Sequence, residues 1–321
     1  MASSPLIFKF KPLLFCTIST LLSCAAAFDS PAYPLHSSLI LVQQQPLVLR
    51  DHNGPLVKGN VTVNLLWYGR FSLSQRSAIA SLLSSFSPSS SLHPPPPPTV
   101  AKWWATTAAY RGGAAEVTLG WQLLDSSYSL GRSLTPASLY HLARRANRAG
   151  APHQNSVSVV LTADDVTLDG FCMSSCGRHG ALQDGGRYFP YIWVGNAASQ
   201  CPGMCAWPFA RPDFGPPEAP LVPPSGDVGV DGMVIILATL MAGTVTNPYG
   251  NGYFQGPAVA PLEAASACAG IFGSGSYPGY PGNLLVDPTT NASFNAHGED
   301  ERKFLLPAMW DPMTSSCATL V

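Results

Sequence analysis

The chain has 321 residues, 46% of them apolar and only 11% charged, with a formal net charge of −1. Soluble domains ordinarily carry about a quarter charged residues, so the balance suits a chain that sits among neutral polymers or packs closely with itself. No basic stripe is present to bind nucleic acid, and beyond the leader no apolar run approaches the roughly 20 residues of a membrane span.

Lys9 and Lys11 precede an apolar stretch from Leu13 to Leu22, and Ala25-Ala26-Ala27 follows. This is the layout of a cleaved secretory signal, residues 1–27, with the cut after Ala27. Residues 28–46 are rich in Pro, Ser and Gln and read as an extended lead-in or a removable pro-segment. The remaining domain, residues 47–321, opens with a strand at Val61–Tyr68, rich in β-branched and aromatic residues and alternating around Asn64. Ser74–Phe86 reads as a helix capped by Ser74, with Ile79, Leu82, Leu83 and Phe86 on one face. Ser87–Pro98 ends in five prolines and reads as a stiff surface spacer.

Val100–Tyr110, carrying Trp103 and Trp104, predicts a short helix; Glu116–Leu124 predicts a strand and Pro136–Asn147 a helix. Val157–Leu161 and Phe189–Val194 are further buried strands. Asp164 and Asp165 stand just past the carboxyl end of the first of these. Cys201–Gly226 is a rigid Pro-rich loop. Asp227 and Asp231 then enter an apolar helix, Met233–Ala242, stopped by Asn247-Pro248. The alternation of strands and helices predicts an α/β fold: a single domain with a mixed, largely buried sheet flanked by helices, plus Pro/Gly-rich, disulfide-tied loops.

Six cysteines remain after the leader: Cys172, Cys176, Cys201, Cys205, Cys268 and Cys317. An even set in an exported chain predicts three disulfides, among fifteen possible pairings, over zinc ligation by the two C-x-x-x-C pairs. The last cysteine should tie the tail to the body. Asn60 and Asn291 begin glycosylation sequons.

The chemistry-bearing patterns are mostly missing. Gly273-Ser274-Gly275-Ser276 lacks the spacing of a nucleophile elbow, and no Gly-rich loop carries a phosphate-binding lysine. No two of the seven histidines lie close enough for a zinc helix, and isolated ones such as His179 and His297 read as solvated or hydrogen-bonded loop residues and not as ligands. Asp164, Asp165, Asp231 and Glu263 are the carboxylates available to a hydrolase of wall carbohydrate or peptide, the alternative to a binding protein. For binding, Trp207, Phe209, Tyr249, Tyr253, Phe254 and Tyr277 form a candidate aromatic rim on Gly- and Pro-rich loops.

The segments VNLLWYGRFS, LTADDV, GFCMSSCGRHG, YIWVGN, CPGMCAWPF, GDVGVDGM and TNPYGNGYFQGP resemble the EXORDIUM-like, or phosphate-induced, protein family of land plants, from about Leu47 to Val321. The resemblance implies a secreted apoplastic protein of cell expansion and brassinosteroid-responsive growth. It implies action by binding, with no catalysis and no cofactor, on an extracellular ligand such as a wall polymer or a receptor ectodomain. The segment ending Thr246-Asn247-Pro248 is also similar to the H-E-x-x-E-x-x-[ST]-[DN]-P helices of metalloprotease-like (zincin-like) secreted proteins. Aligned on that ending, Thr239 takes the His position, Leu240 the first Glu and Gly243 the second, while Glu263 matches a following carboxylate. That comparison implies a metalloprotease-like scaffold whose metal site is degenerate, because one carboxylate cannot supply the three or four ligands zinc needs.

Overall fold

Strand β1 (Gly59–Tyr68) is an interior strand of the main sheet, and its alternation explains the layers on either side. Val61, Val63, Leu65 and Trp67 enter one apolar cluster, while Leu66 and Tyr68 enter another on the opposite face. A strand buried on both faces reads as a nearly continuous apolar run, and VTVNLLWY is such a run. The computed structural model describes residues 46–88, 94–150, 155–213 and 219–321. The expected leader, all of the lead-in but Pro46, and parts of the polyproline spacer and the Pro-rich loop lie outside the described residues.

Four further strands complete the main sheet: β2 (Ala114–Asp125), β3 (Ser156–Thr162), β4 (Gly177–Asp184) and β5 (Arg187–Gly195). The order across the sheet is β2-β1-β3-β5-β4. The first four of that order pair in parallel, and β4 closes the sheet as an antiparallel edge. Helix α1 (Leu73–Ser84) and helix α3 (Val228–Thr246) cover one face, and helix α2 (Pro136–Ala149) covers the other. The mixed α/β sheet with flanking helices is as expected.

Local signals account for the helix ends, with two corrections. The cap of α1 is Ser72, not Ser74: its hydroxyl accepts from Gln75 N, and the Gln75 side chain accepts from Ser72 N, a capping box. Val100–Tyr110 is α-helical only to Trp104, and a 3₁₀ turn fills Ala105–Ala109. Thr135 caps α2 ahead of Pro136, where a missing N–H costs nothing. Asp227 caps α3 through Val230 N, and its other oxygen accepts from Gln75 Nε2, joining the starts of α1 and α3.

Helix α3 is longer than the apolar run that announced it. Its 19 residues are long and apolar enough to cross a bilayer by composition alone, although 78% of its most apolar stretch is buried within the fold. Val230, Met233, Val234, Leu237, Met241 and Val245 pack toward the sheet. Ile235 faces away, into a third cluster with Phe209, Phe272 and Leu305. A helix apolar all round is a buried one, and α3 lies between the sheet and a layer of loops.

The cysteines pair as Cys172–Cys201, Cys176–Cys205 and Cys268–Cys317. The first two clamp the approach to β4 against the turn ahead of α3, and the third ties the tail. That last bridge closes a loop of 49 residues, for which the chain-entropy relation gives about 4 kcal/mol. Replacing Cys268 and Cys317 together by Ala should therefore lower the unfolding free energy by about that amount, read from urea unfolding fitted for both midpoint and slope, since the uncrosslinked chain exposes more surface when unfolded.

Candidate functional site

The C-terminal half of α3 and the edge strand β4 border a cleft of about 2010 Å³. Its polar centre is assembled from three distant segments. His179 comes from the middle of β4, Asn247 from the end of α3, and Glu263 from the loop beyond. His179 Nε2 lies 2.6 Å from Glu263 Oε2, and Asn247 Nδ2 donates to Glu263 Oε1 at 2.7 Å. Asn247 Oδ1 in turn accepts from Gly252 N, and Ser266 Oγ accepts from Glu263 N. Side-chain exposure is only 11% at His179 and 9% at Glu263. Both oxygens of the buried carboxylate are thus occupied, as burial of such a group requires.

Gly243 makes this arrangement possible. A Cβ at that position would stand 2.7 Å from Glu263 Oε2 and 3.1 Å from His179 Nε2. The helix therefore presents bare backbone where the carboxylate and imidazole meet. Of the other aligned positions, Thr239 turns its hydroxyl back onto Ile235 O at 2.8 Å, and Leu240 lines the cleft with an apolar side chain. Gly243 and Glu263 do come together in space, and His179 joins them. His179 is hydrogen-bonded, one of the two states expected of it, but it stands in an edge strand and not in a loop.

The residues present do not fit a zinc ion. Among the described residues no group of three or more His, Cys, Asp and Glu side chains converges as a metal-binding set. At this site the His and Glu are bonded to each other, leaving two potential ligands where tetrahedral zinc needs three or four.

The carboxylates available to a hydrolase are dispersed. Asp164 and Asp165 are both exposed past β3, where Asp165 pairs with Arg132 and accepts from Tyr128. Asp231 sits in the first turn of α3, about 18 Å along the helix axis from Gly243. No two of them flank a common space beside Glu263. The aromatic rim also needs correction, since Phe209 and Phe254 are buried. Trp207 packs on Phe272, Tyr277 on Tyr280, and Tyr253 against Tyr110 and Arg111. Only Tyr249 of the six lines the cleft. Phe209 and Phe254 turn inward, while Tyr249 and Tyr277 stay exposed, so the six rings form no common surface.

Asp231 has a structural role. It is 2% exposed, and burial pushes its carboxyl up to about 6, against hydrogen bonds from Ser225 that favour the charged form. Asp227 nearby raises it further and Arg302 opposes this.

The region described as "Phosphate-induced protein 1 conserved region" matches residues 49–320 of the chain. The chain is 52% identical over 311 residues to Protein EXORDIUM-like 2 of Arabidopsis thaliana, covering 96% of this chain and 98% of that protein. It is 52% identical over 296 residues to Protein EXORDIUM of the same plant, covering 88% of this chain and 93% of that protein. It is 49% identical over 331 residues to Protein PHOSPHATE-INDUCED 1 of Nicotiana tabacum, with both chains covered completely. No solved structure matches.

Two outcomes follow from the geometry. Gly243→Ala should destabilise the protein by about 1–3 kcal/mol in urea unfolding, from crowding of the His179–Glu263 pair, although Ala is the better helix former by about 1 kcal/mol. At Asp231 the folded pKa lies above the unfolded one, so the stabilising form is protonated below the unfolded value and is lost as pH rises through about 6. Both Ser225 bonds go to one oxygen, Oδ2, which an amide oxygen replaces. Asp231→Asn should therefore gain up to about 3 kcal/mol over wild type at pH 8, and the gain should vanish below pH 4 when unfolding is measured across that range.

Proposed function

Because the chain belongs to the phosphate-induced protein 1 family, which includes the EXORDIUM proteins, we propose that it is a secreted regulator of plant cell expansion that acts in the apoplast by binding. The pathway is a brassinosteroid-responsive one, and the partner is an extracellular ligand, a wall polymer or a receptor ectodomain. Three disulfides support an oxidising compartment. The leader layout agrees with export. Asn60 and Asn291 are both exposed, as glycosylation at either sequon requires. The names of the relatives are not names of enzymes.

One observation carries the non-catalytic reading: Glu263 is spent on His179 and Asn247, above a helix whose aligned positions are Thr239, Leu240 and Gly243. The scaffold is that of a metalloprotease-like protein in which the helix beside the cleft has lost its ligands. What is left of the site is a structural tie, and the cleft beside it is free to serve as a binding surface. The domain responsible is residues 47–321.

Metal content separates this reading from a working metallohydrolase. Purified, oxidised protein incubated with zinc and then gel-filtered should retain less than about a tenth of an equivalent, since too few ligands are present. Protein stripped with a chelator and dialysed should alter cell elongation as strongly as untreated protein. Stoichiometric zinc, with the response lost on stripping and restored by metal, overturns the reading.

A further inference from the structure

The border of the cleft formed by β4 is an open sheet edge, and its backbone hydrogen-bonding pattern can be worked out. β4 pairs with β5 over eight residues in unbroken register, from Gly177↔Val194 to Asp184↔Arg187. The two-residue turn between them is Gly185-Gly186, both at positive φ, 57° and 82°, as a primed hairpin turn demands. Such a turn makes Asp184 and Arg187 a hydrogen-bonded pair, and alternation follows from there. Gly180 and Leu182 point their N–H and C=O groups inward to β5. Gly177, His179, Ala181 and Gln183 point theirs outward. Two independent details agree: Pro190, which has no N–H, stands opposite Ala181, and the Gln183 carbonyl accepts from Arg144 Nε at 3.2 Å.

Among the described residues no backbone group pairs with the outward groups of Gly177, His179 or Ala181. Natural sheets blunt such an edge with proline, lysine or a bulge. The opposite edge, β2, has register breaks against β1; β4 has none, and carries neither Pro nor Lys. It is also held in place. Cys176, next to Gly177, is bonded to Cys205, and Arg148 grips Asp184 with two bonds of 2.6 and 2.8 Å.

We infer that this edge takes an extended peptide from a partner polypeptide as a sixth strand, a deepening of the binding role proposed above and dependent on it. Only a polypeptide backbone supplies carbonyls and amides alternating at the spacing that His179 and Ala181 present. About five residues span Gly177 to Ala181. The peptide's side chains on the α3 side face Leu240, Tyr249, Val259 and Pro261 across the cleft. Both carboxylates lining the cleft are paired, Glu263 with His179 and Asp184 with Arg148. Arg178 and Arg187 also line the cleft and form no ion pair among the described residues, so the fitting segment is partly apolar and free of Lys and Arg, with no proline among the paired residues.

The test uses the purified full-length, oxidised protein and a phage-displayed library of random 12-residue peptides. A selected peptide, made synthetically, should bind with an affinity that falls at least tenfold in Ala181→Pro, which removes an outward N–H and spares the β4–β5 ladder. N-methylation of the peptide at alternate residues should abolish binding, while methylation at the intervening residues leaves it. This second arm decides the matter even if Ala181→Pro fails to fold. Amide exchange at His179 and Ala181 should slow on binding. Recovery of no binding peptide, binding indifferent to N-methylation, or a dimer whose edge amides are already protected overturns the inference. None of these results touches the metal and elongation measurements, on which the non-catalytic reading stands separately.

Discussion

The carboxylate of Glu263 is the constraint on which the cleft depends. It is a nearly buried acid that receives the imidazole of an edge strand on one oxygen and the amide of a helix terminus on the other. A carboxyl group placed so deep needs a partner on each oxygen, and removal of one partner of a buried pair typically costs about 3–5 kcal/mol. Three segments far apart in the chain are therefore fixed with respect to one another by one side chain. The absence of a side chain at Gly243 is the complement of this tie, because any Cβ would occupy the space where the two groups meet.

Around that tie the architecture is a sheet with one helix on its far face and two on its near face, the longer of which is itself covered by loops. Gly232 lets α3 approach the turn at Cys205 and Ala206, where a Cβ would meet Ala206 at 2.8 Å. The low charge of the chain finds its explanation here. Covering a helix that is apolar on all sides takes a further layer of apolar loop residues, such as Phe209, Phe272 and Leu305, and this leaves fewer positions for ionised groups.

Much of the frame was legible in the sequence, and the reasons are local. Central strands announce themselves because both faces are buried, so SVSVVLT and YIWV are unmistakable runs. Helix α3 is bounded by an acidic cap and an Asn-Pro stop. The edge strand GRHGALQD shows no such signal, since a half-exposed strand pinned by disulfides and a Gly-Gly turn does not need an apolar alternation. The heart of the site was hidden for a different reason. His179 and Glu263 are 84 residues apart, and neither is flanked by anything that marks a ligand. Asn247 was visible only as a helix stop. The aromatic residues misled because loop sequences do not reveal which way a ring turns: Phe209 and Phe254 lie inside.

The two bridges ahead of α3 join the same pair of turns, each spanning 29 residues, and the Sγ atoms of Cys201 and Cys205 are 3.7 Å apart. Opening either bridge releases a thiol directly beside the survivor, at the distance from which sulfur attacks sulfur. Attack by a freed Cys201 thiolate on Cys205 forms a Cys201–Cys205 bond and expels Cys176 as its thiolate, so loss of the first crosslink between the turns exposes the second to exchange into a bridge inside a single turn.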